Sequence, residues 1–273
     1  MSRMERIEGF RRDLESGKIC LGASVGFTDP LVSDALADSV DFLWIDLEHA
    51  AMSPEALSAH LLAARSRSTP AIVRVTGSAT PFIKPVLDAG AEGIIVPQVL
   101  SVSEVKSIVS DCRYVPMGKR GFGPRVPGNY GRDAGPDYIR EANESLFVAV
   151  MVETNEALEA VEDIVRIEGL DSLVIGPMDL SASQGMLGEV EHPRMLKAYE
   201  RIIGAARGAG LFVGAGMGIN LGLCRRMIDM GVQWIQLAGD SDYLIYAFDG
   251  LARTIRSGLA DGRSPGGTEG GPL

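Results

Sequence analysis

The stretch LFVAVMVETNEALEAVEDIVRIEGLDSLVIGPMDLS (146–181) contains one complete unit of the predicted fold. It begins with a continuously apolar run (146–152), continues through a segment whose apolar residues have helical spacing (156–169), and ends in a second apolar run (172–176). Short continuous apolar runs are typical of parallel strands that are buried on both faces. Because parallel neighbours need a long crossover connection, the stretch predicts a β-α-β unit.

The same alternation occurs eight times along the chain. The predicted strands are 19–25, 42–47, 71–75, 93–97, 146–152, 172–176, 211–215 and 234–238. Four of the intervening helices are expected to end at Gly90, Gly169, Gly210 and Gly231, since glycine commonly follows a helix C-terminus. Eight such units predict an α/β fold, a (β/α)₈ TIM barrel. An open doubly wound sheet is the alternative, and the lack of a G-x-G-x-x-G turn after the first strand disfavours it.

The remaining segments lie at the two ends of the chain. An amphipathic N-terminal helix precedes the first strand, and the stretch after residue 260 is polar and rich in glycine and proline. We therefore predict a single catalytic domain over residues 1–260 and a flexible tail over residues 261–273.

Composition restricts the partners of this protein. Acidic residues outnumber basic ones by 36 to 26, giving a net charge of −10, whereas nucleic acids and anionic membranes attract basic surfaces. One local arginine could still bind an anionic substrate. The three scattered cysteines and the absence of a signal peptide or a long apolar run favour a cytoplasmic protein.

Two carboxylates follow neighbouring strand runs. Glu153 comes directly after run 146–152, and Asp179 comes shortly after run 172–176. In parallel α/β folds the C-terminal ends of the strands carry the chemistry. Two hard oxygen ligands there suit Mg²⁺ or Mn²⁺. The alternative is that both are solvated loop acids, or that Asp179 caps a short helix.

Two further side chains are candidates for catalysis at the same end of the barrel. His49, just past the second strand, is the best general base or acid, although it could instead bind backbone in a loop. Arg74 interrupts an apolar strand, where it could bind a substrate carboxylate or form an ion pair with Asp46. We expect Asp88 to be an acid on the surface of a helix, and we expect His60 to be a surface residue in the middle of a helix.

Several other mechanisms are disfavoured. None of the five lysines ends a strand at its C-terminal side, which disfavours a Schiff-base mechanism. No cysteine lies at a strand end beside a histidine, which disfavours a thiol nucleophile. The Gly-, Pro- and Arg-rich segment 113–135 is long enough to be a lid or an oligomer contact.

Together these residues resemble the HpcH/HpaI family of class II pyruvate aldolases over roughly residues 18–240. The matching blocks are WIDLEHA (44–50), IVRVTG (72–77), VLDAGAEGIIVPQV (86–99), RYVPMGKRGFGP (113–124), MVETNEAL (151–158) and GLDSLVIGPMDLSASQGMLGEVEHP (169–193).

The resemblance implies an aldolase that reversibly cleaves a 4-hydroxy-2-oxo acid to pyruvate, or a related 2-oxo acid, and an aldehyde. It implies Glu153 and Asp179 as ligands of Mg²⁺, Mn²⁺ or Co²⁺, and Arg74 as the group that binds the carboxylate or the enolate oxygen. His49 would transfer protons, oriented by Asp88 and with Asp46 nearby.

The resemblance also bears on the substrate pocket and on assembly. The backbone of Gly176 and Pro177 would frame the pyruvate pocket. The last helix would be exchanged between protomers in dimers that build a hexamer, a trimer of dimers.

The chain departs from the usual family pattern at Leu47, Met151 and Met178. Each departure adds apolar bulk close to the expected pocket, which leads us to expect a narrower or more hydrophobic aldehyde site. Two other functions stay open from the sequence: a citrate-lyase-like lyase of acyl-CoA thioesters, and a barrel that binds a keto acid without turnover.

Overall fold

The computed structural model describes residues 4–260 of the 273-residue chain, and it forms a closed barrel of eight parallel strands. The strands are β1 (Cys20–Val25), β2 (Phe42–Asp46), β3 (Ala71–Arg74), β4 (Gly93–Val96), β5 (Phe147–Val152), β6 (Ser172–Ile175), β7 (Phe212–Met217) and β8 (Trp234–Gly239). Each strand pairs with the next in the chain, and β8 pairs with β1 to close the barrel. The predicted (β/α)₈ TIM barrel is confirmed, and each strand boundary lies within two residues of its predicted position.

Helices surround the barrel and lie at both of its ends. In the described part of the chain they are α1 (Glu5–Glu15), α2 (Leu31–Leu36), α3 (Pro54–Ser66), α4 (Thr80–Ala89), α5 (Val102–Cys112), α6 (Gly135–Ser145), α7 (Asn155–Glu159), α8 (Val161–Ile164), α9 (Pro177–Ser183), α10 (Pro193–Gly208), α11 (Leu221–Met230) and α12 (Asp240–Ala260). Gly90 and Gly231 follow α4 and α11 with φ of 106° and 111°, as expected for C-terminal glycines. No helix among residues 4–260 is long and apolar enough to cross a membrane.

Helix α1 closes the N-terminal end of the barrel. Phe10 is almost fully buried, and its ring centroid lies 5.3 Å from that of Phe42, 5.5 Å from Phe147 and 6.1 Å from Trp234. These three partners are the first residues of β2, β5 and β8. The barrel interior is therefore filled by aromatic packing at this end, and the cavity described below opens at the opposite end.

Two arginines, Arg113 and Arg120, anchor the long segment between α5 and α6. The Arg113 guanidinium is buried and donates to the carbonyl oxygens of Asn143, Leu146 and Gly169. Arg120 donates to Asp88 over 2.9 Å and lies over the ring of Tyr114. Exposed apolar side chains then project from the segment, namely Val115, Met117, Phe122 and Tyr130. Its suggested role as a lid or oligomer contact stays a prediction.

The expectation for His60 was wrong. It lies on α3 but faces inward, fully buried, with its Nδ1 2.8 Å from the Ser33 Oγ of α2. Burial also lowers the pKa of the imidazole, which disfavours the charged form. Helical spacing alone did not identify this face, because α2 packs over α3.

Candidate active site

A cavity of about 380 Å³ opens at the C-terminal ends of the strands. Most of the residues predicted from sequence line it: Asp46, His49, Arg74, Met151, Gly176, Pro177, Met178 and Asp179. Trp44 and residues of β1, β7, β8 and the start of α12 also line it. Parallel strands that are hydrogen-bonded in register bring their ends together, so residues distant in sequence meet here.

Asp46, the last residue of β2, fixes the position of Arg74, the last residue of β3. Arg74 donates from Nε to Asp46 Oδ1 over 3.0 Å and from Nη2 to Oδ2 over 2.6 Å. Such a two-point pair between planar groups fixes orientation as well as charge. The guanidinium also lies 5.4 Å from the ring centroid of Trp44. The ion pair considered from sequence is therefore present, and Arg74 nevertheless lines the cavity.

Asp46 also shapes the loop that carries the next two polar residues. Its Oδ1 accepts the backbone N–H of Glu48 over 2.9 Å and that of His49 over 3.4 Å. This turn places Glu48 Oε2 3.1 Å from Arg74 Nη1 and 3.7 Å from His49 Nε2. Burial raises the pKa of Glu48, and the charge of Arg74 opposes this shift. Glu48 thus links the arginine to a histidine whose side chain is 64% exposed at the rim.

Glu153 is buried beside the cavity, directly after β5. It is 2% exposed, and its Oε1 accepts the backbone N–H of Gln98 over 2.7 Å. Burial raises its pKa to about 7; the Gln98 hydrogen bond opposes this, while the negative charges of Asp179 and Glu48 add to it. A carboxylate in such surroundings is stabilised in its charged form by a cation.

Asp179 lies in the first turn of α9 and is exposed to the cavity. It does not cap the helix, because the N-cap position is Gly176. Among residues 4–260 no group of three or more His, Cys, Asp or Glu side chains is arranged around a common metal position. Two carboxylates alone would leave several positions of an octahedral ion to water and substrate, and their hard oxygens fit Mg²⁺ or Mn²⁺.

Asp88 lies apart from the other predicted residues. It is near the end of α4 and binds Arg120 of the long segment, and it does not line the cavity. Within one chain His49 lies beside Glu48, whereas Asp88 lies beside Arg120. The expected contact between His49 and Asp88 is therefore not formed within one chain.

Sequence reasoning missed the contributions of Glu48 and Gln98. Glu48 stands in the quoted WIDLEHA block, two residues after Asp46, and this spacing was a usable signal. The role of Gln98 had no side-chain signal, because it acts through its backbone N–H in a left-handed conformation with φ of 54°.

The two methionines differ in position. Met151, on β5, is 3% exposed and packs within the barrel interior, whereas Met178, at the start of α9, is 53% exposed at the rim. Both line the cavity. Apolar surface is therefore present at the base and at the entrance of the site.

Comparisons with known proteins show the family of this chain. The family model HpcH/HpaI aldolase/citrate lyase matches residues 24–247. The chain is 34% identical to a hydroxypyruvate/pyruvate aldolase of Roseovarius nubinhibens, over 93% of this chain and 96% of that protein. It is 32% identical to a 4-hydroxy-2-oxo-heptane-1,7-dioate aldolase of Salmonella dublin, over 89% of this chain and 92% of that protein.

A solved structure is similar over nearly the same length. It is an HpcH/HpaI aldolase/citrate lyase family protein from Burkholderia cenocepacia J2315, with a TM-score of 0.84 and 28% identity over 91% of this chain and 99% of that one. The closed barrel and the family match agree. This chain therefore belongs to the HpcH/HpaI aldolase/citrate lyase family and is an enzyme of the lyase class.

Proposed function

We propose that this protein is a divalent-metal-dependent aldolase. It reversibly cleaves a 4-hydroxy-2-oxo acid to pyruvate, or a related 2-oxo acid, and an aldehyde. The observation that carries the proposal is that Arg74 and Asp179 line one cavity of the barrel, while Glu153 is buried beside it and close enough to both for their charges to act on its pKa. Both curated relatives described above are named as aldolases, which favours this reaction over thioester cleavage.

Glu153 and Asp179 would hold the ion, which we propose is Mg²⁺, Mn²⁺ or Co²⁺. When bound, such an ion chelated by the 2-oxo acid supplies Lewis-acid stabilisation of the enolate charge. Arg74 binds the carboxylate or the enolate oxygen of the 2-oxo acid. Its Nε and Nη2 each donate to Asp46, and Nη1 lies 3.1 Å from Glu48 Oε2 as an ion pair, which leaves N–H groups on Nη1 and Nη2 for the substrate.

Cleavage breaks the C3–C4 bond of the substrate. A base removes the proton of the 4-hydroxyl group, the C4–O bond becomes the aldehyde carbonyl, and the electron pair of the broken bond forms the enolate. A proton must then return to C3. His49 lies at the rim, 3.7 Å from Glu48, and we propose that it transfers one of these protons.

The first experiment measures pyruvate release from a panel of 4-hydroxy-2-oxo acids. The protein is treated with a chelator and then supplied with Mg²⁺, Mn²⁺ or Co²⁺. We expect release to stop on chelation and to return with metal. Glu153→Ala and Asp179→Ala are expected to abolish this release while the far-UV circular dichroism stays that of a folded barrel.

Glu156→Ala is the matched control, because Glu156 is an exposed acid three residues after Glu153. It should retain the activity of the wild type. Full activity in either ligand variant would refute the metal assignment. Cleavage that requires a CoA thioester would establish the acyl-CoA lyase instead, and binding of keto acids without any turnover would establish a non-catalytic barrel.

We also propose that α12 is exchanged with a second copy of the chain. The helix packs against β1 and β8, and seven of its large apolar side chains are 57–72% exposed: Leu244, Ile245, Tyr246, Phe248, Leu251, Ile255 and Leu259. A continuous apolar surface of this kind marks a protein interface. Dimers formed in this way would be the units of a hexamer.

The oligomer is tested by sedimentation velocity. Leu251→Asp is expected to shift the protein toward monomers, because it places a charge within the apolar face of α12. Ser257→Asp adds the same charge at an exposed polar position of the helix and should leave the assembly unchanged. An unchanged sedimentation coefficient in Leu251→Asp would argue against the exchange.

A further inference from the structure

Gly176 lies against the carboxylate of Glu153. It joins β6 to α9, whereas Glu153 follows the neighbouring strand β5. A Cβ atom at position 176 would overlap Glu153 Oε2, and it would come within 3.1 Å of both Glu153 Cβ and Met151 Cε. The carboxylate occupies this position because residue 176 has no side chain.

The opposite side of the carboxylate is fixed by backbone as well. Gln98 donates its N–H to Glu153 Oε1 over 2.7 Å, from a residue with φ of 54°. Non-glycine residues adopt this left-handed conformation at an energetic cost, which the surrounding structure must offset. Glu153 is therefore confined between an N–H group on Oε1 and the unsubstituted Cα of Gly176 beside Oε2.

We infer that Gly176 is a positioning residue for Glu153 and so sets the affinity of the metal site. This inference rests on the proposed metal dependence. The atom that an added methyl group would displace is the far end of a flexible side chain rather than backbone. Gly176→Ala is thus expected to rotate the carboxylate away while the barrel remains folded.

The test is a titration with Mn²⁺, followed by the electron paramagnetic resonance signal of the free ion. We expect Gly176→Ala to bind Mn²⁺ about 10- to 100-fold more weakly than the wild type, as is typical when the surroundings of a metal ligand are changed. The midpoint of thermal unfolding without metal should stay close to that of the wild type.

Gly218→Ala is the matched control. Gly218 follows β7, and a Cβ atom there would have no heavy atom within 4 Å. Its Mn²⁺ affinity should equal that of the wild type. Wild-type affinity in Gly176→Ala would overturn the inference, and so would a loss of the cooperative thermal transition in that variant, since it would indicate a purely structural role.

A double-mutant cycle with Glu153→Asp then tests the contact itself, because aspartate is one methylene shorter and withdraws from position 176. The effect of Gly176→Ala on Mn²⁺ affinity should be smaller in the aspartate background than in the glutamate background. An equal effect in both backgrounds would overturn the inference. If the wild type itself binds no Mn²⁺, the proposed metal-dependent function fails instead, which separates the two failures.

Discussion

Arg74→Lys separates the catalytic role of Arg74 from its role as an ion pair. The variant keeps the positive charge but replaces a planar fork by a single nitrogen. In the native protein the fork makes two hydrogen bonds to Asp46 and an ion pair with Glu48, and the Arg74 side chain is 13% exposed. A lysine ammonium at the same depth cannot reproduce this geometry and also donate to a substrate.

The magnitude follows from the hydrogen bonds that are lost. A hydrogen bond to a charged group contributes about 1.5–3 kcal/mol. Loss of one such bond to the substrate in the transition state corresponds to a fall in kcat/KM of about 10- to 150-fold. Loss of one bond to Asp46 should lower the free energy of unfolding by a similar amount at most, because position 74 keeps a positive charge opposite Asp46.

The assay couples pyruvate release to lactate dehydrogenase, and urea denaturation gives the stability. Arg67→Lys is the matched control: Arg67 makes the same two-point pair with Asp34, with both distances 2.7 Å, on the surface away from the cavity. It should change neither kcat/KM nor the folded structure. If Arg74→Lys lowers stability but leaves kcat/KM unchanged, Arg74 is a structural ion pair and its catalytic role is refuted.

Three further predictions concern stability, pH and the aldehyde. Phe10→Ala should lower the free energy of unfolding in urea by about 3–5 kcal/mol, because it empties the aromatic packing at the closed end of the barrel; a loss below about 1 kcal/mol would contradict this packing. Burial raises the pKa of Glu92 to about 7, with Arg6 opposing the shift, so the folded state binds more protons than the unfolded state between about pH 4.5 and 7. Stability should therefore fall as pH rises through this window, and Glu92→Gln should flatten that part of the profile in pH-dependent urea denaturation; an unchanged slope would refute the assignment. Finally, the described cavity wall contains four aspartates but only one arginine and no lysine, and it includes three methionines. Condensation with pyruvate should therefore have a higher kcat/KM for uncharged aliphatic aldehydes than for aldehydes bearing a carboxylate. The opposite order would refute this view of the acceptor site.

The pattern of the sequence was sufficient for the barrel because that pattern is local. Each strand is a short apolar run, and each helix has its own spacing of apolar residues and its own end signals. The predicted strand boundaries therefore lie within two residues of the observed ones. Parallel strands in sequential order then leave few topologies, and their C-terminal ends must meet. This pattern predicts that Arg74, His49 and Asp179 lie at one end of the barrel, and all three line the cavity there.

Other features depended on contacts between distant segments. The buried face of His60 is decided by the packing of α2, and the partner of Asp88 by the path of the long segment that carries Arg120. The periodicity of a helix indicates which of its faces is apolar. It does not indicate which other segment of the chain packs over a polar residue.

The sequence by itself determined the eight β/α units, the family and the end of the barrel at which the polar residues gather, since all three depend on local pattern. Only the tertiary structure decided how Glu153 is held, with Gln98 N–H on one side and Gly176 on the other. Gln98 and Gly176 act there through their backbone, and backbone groups are the same in nearly every residue, so the sequence does not distinguish them. These backbone groups contact Glu153 only because the closed barrel places β4, β5 and β6 side by side.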